Sequence, residues 1–261
     1  MTQVLSGGLV RPASTLLLLR DDPAFEVLMV ERHHEIDFAS GALVFPGGKS
    51  HTGDHDEAWG DHALGWAEHG EDQAGLRIAA IRELFEEAGL LLARRADGAP
   101  LDVEPAPMDL RKSVDRGETP FLDVVRAAGA RLDLSALTVF ARWITPPVTP
   151  KRFDTWFYVA HAPVGQQAVC DGRETVDACW YAPQAALSAA ERGERKVVFP
   201  TRMNLVMLAR AASAAAAIEQ ARGRPLVTVQ PEIREGPDGR RLVLPENAGY
   251  GAISEPFLPG M

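Results

Sequence analysis

The chain has 261 residues, of which 46% are hydrophobic, and it carries a formal net charge of -9. This length and composition allow a substantial core, as one large domain or as one domain with elaborations. The acidic balance argues against binding to a nucleic-acid backbone, because there is no surplus of lysine and arginine to neutralise phosphates. An anionic small-molecule substrate would require metal ions to offset the charge repulsion.

Localisation signals and cysteine chemistry are also limited by the sequence. No apolar run reaches the roughly 18 residues that a membrane-spanning helix needs. Residues 1–4 lack the charged and apolar regions of a signal peptide. Cys170 and Cys179 form neither a disulfide framework nor a zinc-binding spacing. We therefore expect a cytoplasmic protein with no membrane partner, in which both cysteines are packing residues.

The chain begins with patterns typical of strands. Residues 13–20 and 25–31 are rich in aliphatic side chains and flank the turn residues 21–23, which predicts two short strands. Residues 43–45 predict a third strand, which runs into the sequence Pro-Gly-Gly-Lys at 46–49.

Residues 82–90, Arg-Glu-Leu-Phe-Glu-Glu-Ala-Gly-Leu, are the most informative segment. At ~100° per residue, Glu83, Glu86 and Glu87 share one helix face, and apolar residues gather on the opposite face. Gly89 can adopt a positive φ and end the helix just past these acids. Like charges at this spacing repel unless a cation lies among them, and hard oxygen ligands suit Mg²⁺ or Mn²⁺. The pattern favours a divalent-metal site over a solvated acidic face.

Together with Gly48 and the pair at 53–54, this segment resembles the Nudix box, the signature of the Nudix hydrolases. The chain departs from the family pattern in two ways. Asp54 stands where the family has glutamate, and 27 residues separate it from Arg82, far more than in the family. We therefore place an insertion at residues 54–73 within the box and leave the role of Asp54 open.

The resemblance implies an α/β fold, an α/β/α sandwich with a mixed sheet. We expect one Nudix domain over residues 1–261, with a C-terminal helical extension at residues 200–261. The expected metal ligands are three carboxylates and one backbone carbonyl, those of Glu83, Glu86, Glu87 and Gly48. Glu83 is a ligand or orients the attacking water, and Arg82 is expected to fix the rotamers of the glutamates.

Three further residues are candidates for the site. Glu174 stands six residues before Trp180, where many Nudix proteins carry a loop glutamate. Its roles as base, metal ligand and turn residue all stay open. Lys49 is a candidate phosphate contact, with a solvated lysine as the alternative.

Arg32 is a candidate substrate contact, because it lies nine residues before Gly41, which itself lies four before Phe45. This spacing resembles the coenzyme A branch of the family. The match is incomplete, since Asp37 stands where that branch has a second basic residue.

The remaining segments carry weaker patterns. The insertion predicts a surface flap that packs Trp59 and Trp66, which are also candidates for stacking on a substrate. Residues 105–134 are expected to be partly helical and peripheral. One alanine-rich helix is predicted from residue 200 to about 222, followed by a strand pair formed by residues 226–229 and 241–244.

The interrupted box and the C-terminal tail resemble the branch that contains peroxisomal coenzyme A diphosphatases. The resemblance implies metal-dependent hydrolysis of a nucleoside diphosphate linked to another moiety, with coenzyme A or acyl-CoA placed first and ADP-ribose or NADH as alternatives. A homodimer stays open. The rival from another class is a Nudix-fold nucleotide sensor without catalysis. The intact set Arg82, Glu83, Glu86 and Glu87 disfavours it, because a sensor does not need metal ligands.

Overall fold

The computed structural model of the protein describes residues 9–33, 40–101, 106–172, 175–237 and 239–257. Within these residues the chain forms seven α-helices and three β-sheets. No helix in this part of the chain is long and apolar enough to cross a membrane.

The strands follow one another along the whole chain: β1 (Val10–Arg20), β2 (Glu26–Arg32), β3 (Ala42–Val44), β4 (Gly47–Lys49), β5 (Ala63–Leu64), β6 (Ala93–Arg95), β7 (Ala130–Asp133), β8 (Thr138–Ile144), β9 (Arg152–His161), β10 (Thr175–Tyr181), β11 (Lys196–Val197), β12 (Thr228–Val229), β13 (Glu232–Gly236), β14 (Gly239–Val243) and β15 (Ser254–Pro256). The helices lie between them: α1 (Trp66–His69), α2 (Glu71–Ala88), α3 (Met108–Asp115), α4 (Phe121–Ala127), α5 (Pro183–Glu191), α6 (Phe199–Leu208) and α7 (Ala214–Gly223). Short 3₁₀ helices occupy Thr52–His55, Glu57–Asp61, Leu134–Ala136 and Glu246–Ala248.

The main sheet is mixed, as the sequence predicts. Its strand order is β11-β3-β2-β1-β9-β8-β12, with β4 paired to β1 and β10 paired to β2. β1 runs parallel to β9, and β8 runs antiparallel to β9. Two small sheets, β5-β7-β6 and β13-β14-β15, lie beside it.

Helices cover both faces of the main sheet. Successive side chains of a strand point to opposite faces, so Leu16 and Leu18 of β1 enter one core, and Leu17 and Leu19 enter the other. Residues of α2, α3 and α4 complete the first core, and residues of α5, α6 and α7 complete the second. Burial on both faces explains the continuous run of leucines. The predicted α/β/α sandwich is confirmed.

The insertion is anchored to the core by its tryptophans. Trp59 is only 1% exposed and packs against Phe121, with ring centroids 5.8 Å apart. Its indole Nε1 donates a hydrogen bond to the carbonyl of Gly53 over 2.9 Å. Trp66 packs against the same core. The expectation that Trp59 stacks on a substrate is therefore wrong, because its ring is already buried.

Residues 105–134 are not peripheral, contrary to the expectation. Phe121 and Val125 of α4 are buried in the same core as α2. Val114 of α3 is also buried there. The apolar residues of these short helices recur at helical spacing, so each helix has a stripe that packs inward.

The C-terminal prediction is partly wrong. The predicted single helix is divided into α6 and α7. Ser213 caps the N-terminus of α7, and its side chain accepts a hydrogen bond from the Ala216 N–H. Residues 226–229 do not pair with 241–244, because β12 joins the main sheet beside β8. The partner of β14 is β13, and Gly236 pairs with Gly239.

Candidate active site

Helix α2 carries the three glutamates, and its C-terminal end is fixed in place. Gly89 adopts a φ of 73°, and its N–H donates to the carbonyl of Phe85 over 3.0 Å. A residue with a Cβ would be strained in this left-handed conformation. The predicted helix end is confirmed.

The acidic face of α2 is covered rather than open to water. Glu83, Glu86 and Glu87 are 8%, 7% and 3% exposed. Strand β4 lies against these side chains, and the Gly47 N–H donates to Glu87 Oε2 over 3.0 Å. Carboxylates this deeply buried must be held by hydrogen bonds or by cations.

Gly48 allows the close approach between β4 and Glu83. A Cβ placed on Gly48 would lie 2.5 Å from Glu83 Oε1, far inside van der Waals contact. The glycine at this position is therefore required by the carboxylate and not by a turn. It brings the backbone of β4 directly to the acidic cluster.

Arg82 lies at the centre of the cluster. Its Nη1 donates to Glu83 Oε1 over 3.0 Å and to both carboxylate oxygens of Glu86 over 3.1 Å. Its Nη2 donates to the backbone carbonyl of Lys49 over 2.7 Å. The guanidinium therefore links helix α2 to strand β4 and restricts the rotamers of Glu83 and Glu86, in the manner the sequence suggested.

Asp54, whose role the sequence left open, holds Arg82 from the other side. It is 2% exposed and accepts two hydrogen bonds from Arg82, from Nε over 2.9 Å and from Nη2 over 3.1 Å. The His51 N–H donates to the same carboxylate over 2.7 Å. This two-pronged geometry fixes the orientation of the guanidinium plane. The insertion lies between Asp54 and Arg82 in sequence and leaves them in contact.

The cluster contains more carboxylates than cations, and this imbalance shifts the pKa values of its members. Burial raises the pKa of Glu86 to about 8, since the opposing charge of Arg82 does not fully compensate it and the charge of Glu83 adds to it. Burial would lower the pKa of Arg82, but the charges of Glu83 and Asp54 raise it above its ordinary value. The cluster thus has one guanidinium against several carboxylates, and a further cation would relieve the repulsion.

The donor chemistry fits Mg²⁺ or Mn²⁺, which prefer oxygen ligands of this kind. The glycine at position 48 fits as well, because the absence of a side chain lets the backbone of β4 approach the Glu83 carboxylate. The side chains as they stand are held by Arg82: in the described part of the chain, no group of three or more His, Cys, Asp or Glu side chains is arranged to hold a metal. A bound ion would therefore share the glutamates with Arg82.

Arg111 is a residue of this region that the sequence analysis missed. It is 1% exposed and donates from Nε to the carbonyls of Phe85 and Glu86 over 3.1 Å, and from Nη2 to the Glu86 carbonyl over 2.8 Å. Carbonyls at a helix C-terminus carry partial negative charge, so a cation stabilises them. The burial of Arg111 could have been predicted from its position, since it lies three residues before Val114 on the same face of α3.

Helix α3 also forms a wall of a pocket beside the glutamates. The pocket is shallow and open to solvent. Its lining residues come from α2, from α3 and from the loop before β10: Glu86, Glu87, Arg111, Lys112, Asp115 and Asp171. Charged side chains at a solvent-open pocket are suited to a polar, charged ligand.

Glu174 lies outside the described residues, as does Asp37. The residues that flank Glu174 contact the site helix. Thr175 Oγ1 donates to the Glu87 carbonyl over 3.2 Å. Asp171 Oδ1 accepts from the N–H and from the hydroxyl of Thr175, each over 2.7 Å. Thr175 is thus attached to the C-terminal end of α2 and to Asp171.

The two predicted substrate contacts differ in their surroundings. Arg32 is the last residue of β2, and it pairs with Thr175 of the neighbouring strand β10. Thr175 in turn contacts α2, so Arg32 lies one strand away from the site helix. Its Nε is buried and has no hydrogen-bond partner among the described residues. Lys49 has an exposed side chain, and only its carbonyl contacts the cluster.

Comparison with solved structures defines the class of protein. The fold is similar to the crystal structure of a NUDIX hydrolase from Alicyclobacillus acidocaldarius, with a TM-score of 0.72 and 29% sequence identity. The match covers 81% of this chain and 96% of that one. The sandwich and its acidic helix are thus those of a Nudix hydrolase.

The family follows from the sequence. The model of the NUDT19 Nudix domain matches residues 64–208, which is more than half of the chain, and the protein belongs to this family. Nudix hydrolases generally depend on divalent metal ions. The predicted resemblance to the Nudix superfamily is confirmed.

Curated relatives are similar at modest identity. The acyl-coenzyme A diphosphatase NUDT19 of Homo sapiens is 29% identical, and the match covers 70% of this chain and 60% of the relative. The protein of the same name from Gallus gallus is 27% identical, covering 62% of this chain and 55% of the relative. The chain therefore spans somewhat more than half the length of these relatives.

Proposed function

We propose that this chain hydrolyses the diphosphate linkage of a nucleoside diphosphate joined to another moiety, with the help of divalent metal ions. The observation that supports this most is the buried cluster of Arg82 with Glu83, Glu86 and Glu87 against the glycine at position 48. Burial of several carboxylates around one guanidinium opposes folding, so a cluster of this kind points to a chemical use.

We assign the metal-ligand role to the carboxylates of Glu83, Glu86 and Glu87 and to the backbone carbonyl of Gly48. Mg²⁺ or Mn²⁺ bound there would neutralise charge on the diphosphate and lower the pKa of a bound water. Arg82 positions these ligands. Asp54 acts through Arg82, because it fixes the guanidinium that the glutamates share.

We infer that a carboxylate near the cluster accepts the proton of the attacking water. Glu83 is one candidate, either orienting the water or serving as a further ligand. Glu174 is the other, as base or as ligand, and a simple turn residue is its alternative. The attachment of Asp171 and Thr175 to the end of α2 supports a position for this loop beside the site.

Coenzyme A or an acyl-CoA is the substrate we propose first, with ADP-ribose and NADH as the alternatives. The names of the curated relatives support this order. Arg32 supports it too, because its unpartnered Nε beside the Thr175 register position is suited to an anionic group of the substrate. Lys49 is the second proposed contact. Cleavage would give 3′,5′-ADP and 4′-phosphopantetheine or its acyl form.

A hydrolysis screen tests the proposal. The protein is incubated with Mg²⁺ or Mn²⁺ and, separately, with coenzyme A, ADP-ribose, NADH, dinucleoside polyphosphates and nucleoside triphosphates, and the products are separated by liquid chromatography. We expect 3′,5′-ADP from coenzyme A, and we expect a chelator to stop the reaction. The Glu235→Gln variant, with an exposed glutamate on β13, serves as the control and retains full activity.

Two outcomes would change the assignment. Intact coenzyme A beside cleaved ADP-ribose or NADH would overturn the substrate while leaving the hydrolase class. Tight nucleotide binding without cleavage of any compound, at saturating metal, would favour the sensor.

A further inference from the structure

Lys112 of α3 places a positive charge beside the glutamates of α2. It lines the pocket beside Glu86 and Glu87, and its side chain is half-buried. Its ammonium group makes neither a hydrogen bond nor an ion pair to any residue that the structure describes. A cation near four carboxylates of one pocket would ordinarily pair with one of them.

The neighbouring cation of the pocket is already engaged. The Arg111 guanidinium also lines the pocket, but it already donates to the carbonyls of Phe85 and Glu86 at the end of α2. Lys112 is therefore the cation of this wall that is available to a ligand. Arg111 thus has a structural role, whereas Lys112, the next residue of the helix, can bind a ligand.

The backbone position of Lys112 is fixed by its neighbours on α3. Because Arg111 is 1% exposed and is held by backbone carbonyls of α2, the adjacent residue is fixed relative to Glu86. The α3 backbone also continues as a helix past Lys112, whose carbonyl accepts from the Arg116 N–H over 3.1 Å. The lysine is thus carried by a docked helix rather than by a loop.

We propose that Lys112 binds a phosphate oxygen of the substrate's diphosphate at this pocket. The inference rests on the proposed function. An ammonium group binds phosphate as a point charge, and a lysine that has no internal partner loses no ion pair when the anion enters. Glu86 and Glu87 line the same pocket, so a diphosphate held near them lies within reach of the α3 wall. Lys112 acts as a substrate-binding residue and not as a metal ligand.

Kinetics with two substrates test the proposal. Coenzyme A and ADP-ribose share a diphosphate but differ in the 3′-phosphate. For Lys112→Gln we expect KM to rise ~10-fold for both substrates, because both lose the same charged contact. Lys112→Arg retains the charge, so its KM should stay within ~3-fold of wild type. Lys196→Gln, with an exposed lysine on β11, is the control and leaves KM unchanged.

A binding measurement separates this proposal from the proposed function. Calorimetry with pyrophosphate and Mg²⁺ needs no turnover, and we expect Lys112→Gln to weaken pyrophosphate binding ~10-fold. Unchanged KM and unchanged pyrophosphate affinity in Lys112→Gln would overturn the role of the lysine. A KM increase confined to coenzyme A would also overturn it, since the lysine would then contact the 3′-phosphate. If the wild-type protein cleaves neither substrate, the proposed function fails and the pyrophosphate result still decides the role of Lys112.

Discussion

The two faces of the main sheet bury polar groups of different kinds. On the face covered by α2, the buried polar side chains are mostly charged: Asp54, Arg77, Arg82, Glu83, Glu86, Glu87 and Arg111. On the face covered by α6, the buried polar side chains include the uncharged groups Thr201, Asn204 and Tyr250. Burial of a charge opposes folding far more than burial of a neutral, hydrogen-bonded group. The difference indicates that the α2 face is adapted to chemistry and the α6 face to packing.

The neutral groups of the α6 face attach the C-terminal segment to the core. Trp143 Nε1 donates to the Tyr250 hydroxyl over 3.2 Å, and that hydroxyl donates to Asn204 Oδ1 over 2.8 Å. The three residues come from β8, from α6 and from the chain after β14. A change on this face should therefore affect stability and leave catalysis intact, whereas changes on the α2 face should affect catalysis.

The largest effect is expected for Asp54→Ala on the α2 face. The variant removes two hydrogen bonds to a buried guanidinium, and breaking such a pair costs about 3 kcal/mol of unfolding free energy. We expect no larger loss of unfolding free energy, because Arg82 keeps its hydrogen bonds to Glu83 and Glu86. Denaturant unfolding measures it.

The control for Asp54→Ala is Glu194→Ala, which removes an exposed ion pair with Arg192. It should leave the denaturation midpoint unchanged. Equal midpoints for both variants would contradict the claim that Asp54 holds Arg82.

A smaller effect is expected for Gly48→Ala. The added methyl group would lie 2.5 Å from Glu83 Oε1, so the carboxylate must move away from the backbone of β4. We expect kcat to fall ~10²-fold, or about 2.7 kcal/mol of barrier, with the fold retained. Gly223→Ala, where a Cβ meets nothing within 4 Å, is the control for the loss of glycine. Similar kcat values for the two variants would contradict the claim that Glu83 takes part in the reaction.

The smallest effect is expected for Tyr250→Phe on the opposite face. The variant removes the hydroxyl between Trp143 and Asn204 and should lower the unfolding free energy by about 1 kcal/mol. Thermal and denaturant unfolding measure this change, while kcat and KM should equal those of the wild type. A clear fall in kcat would contradict the separation of the two faces.

Local patterns predicted the parts of the molecule that depend on local physics. The helix over the acidic motif and its end at Gly89 follow from side-chain periodicity and glycine conformation. The strand over residues 13–20 follows from its aliphatic side chains. The mixed sheet and the sandwich followed from the family resemblance. The contact of Arg82 with Glu86 also followed, because residues four positions apart on a helix are close. The contact of Arg82 with Glu83, its neighbour in sequence, does not follow from helical spacing.

Contacts between distant segments could not be predicted in this way. Asp54 meets Arg82 only because the intervening insertion folds back through its 3₁₀ helices, and no periodicity encodes that return. Arg111 was missed because its partners are backbone carbonyls, which leave no trace in the sequence. The burial of Trp59 depends on α4 in the same way, since Phe121 covers the ring.

The central claim is that the carboxylates of α2 are kept for metal-dependent hydrolysis at the expense of stability. Glu87→Gln tests it most directly, because the variant keeps the shape of the side chain and removes its charge. At saturating Mg²⁺ we expect kcat to fall by at least ~10²-fold, while the metal-free unfolding temperature does not fall. Near-normal kcat at saturating Mg²⁺ would contradict the assignment of this helix as the active site.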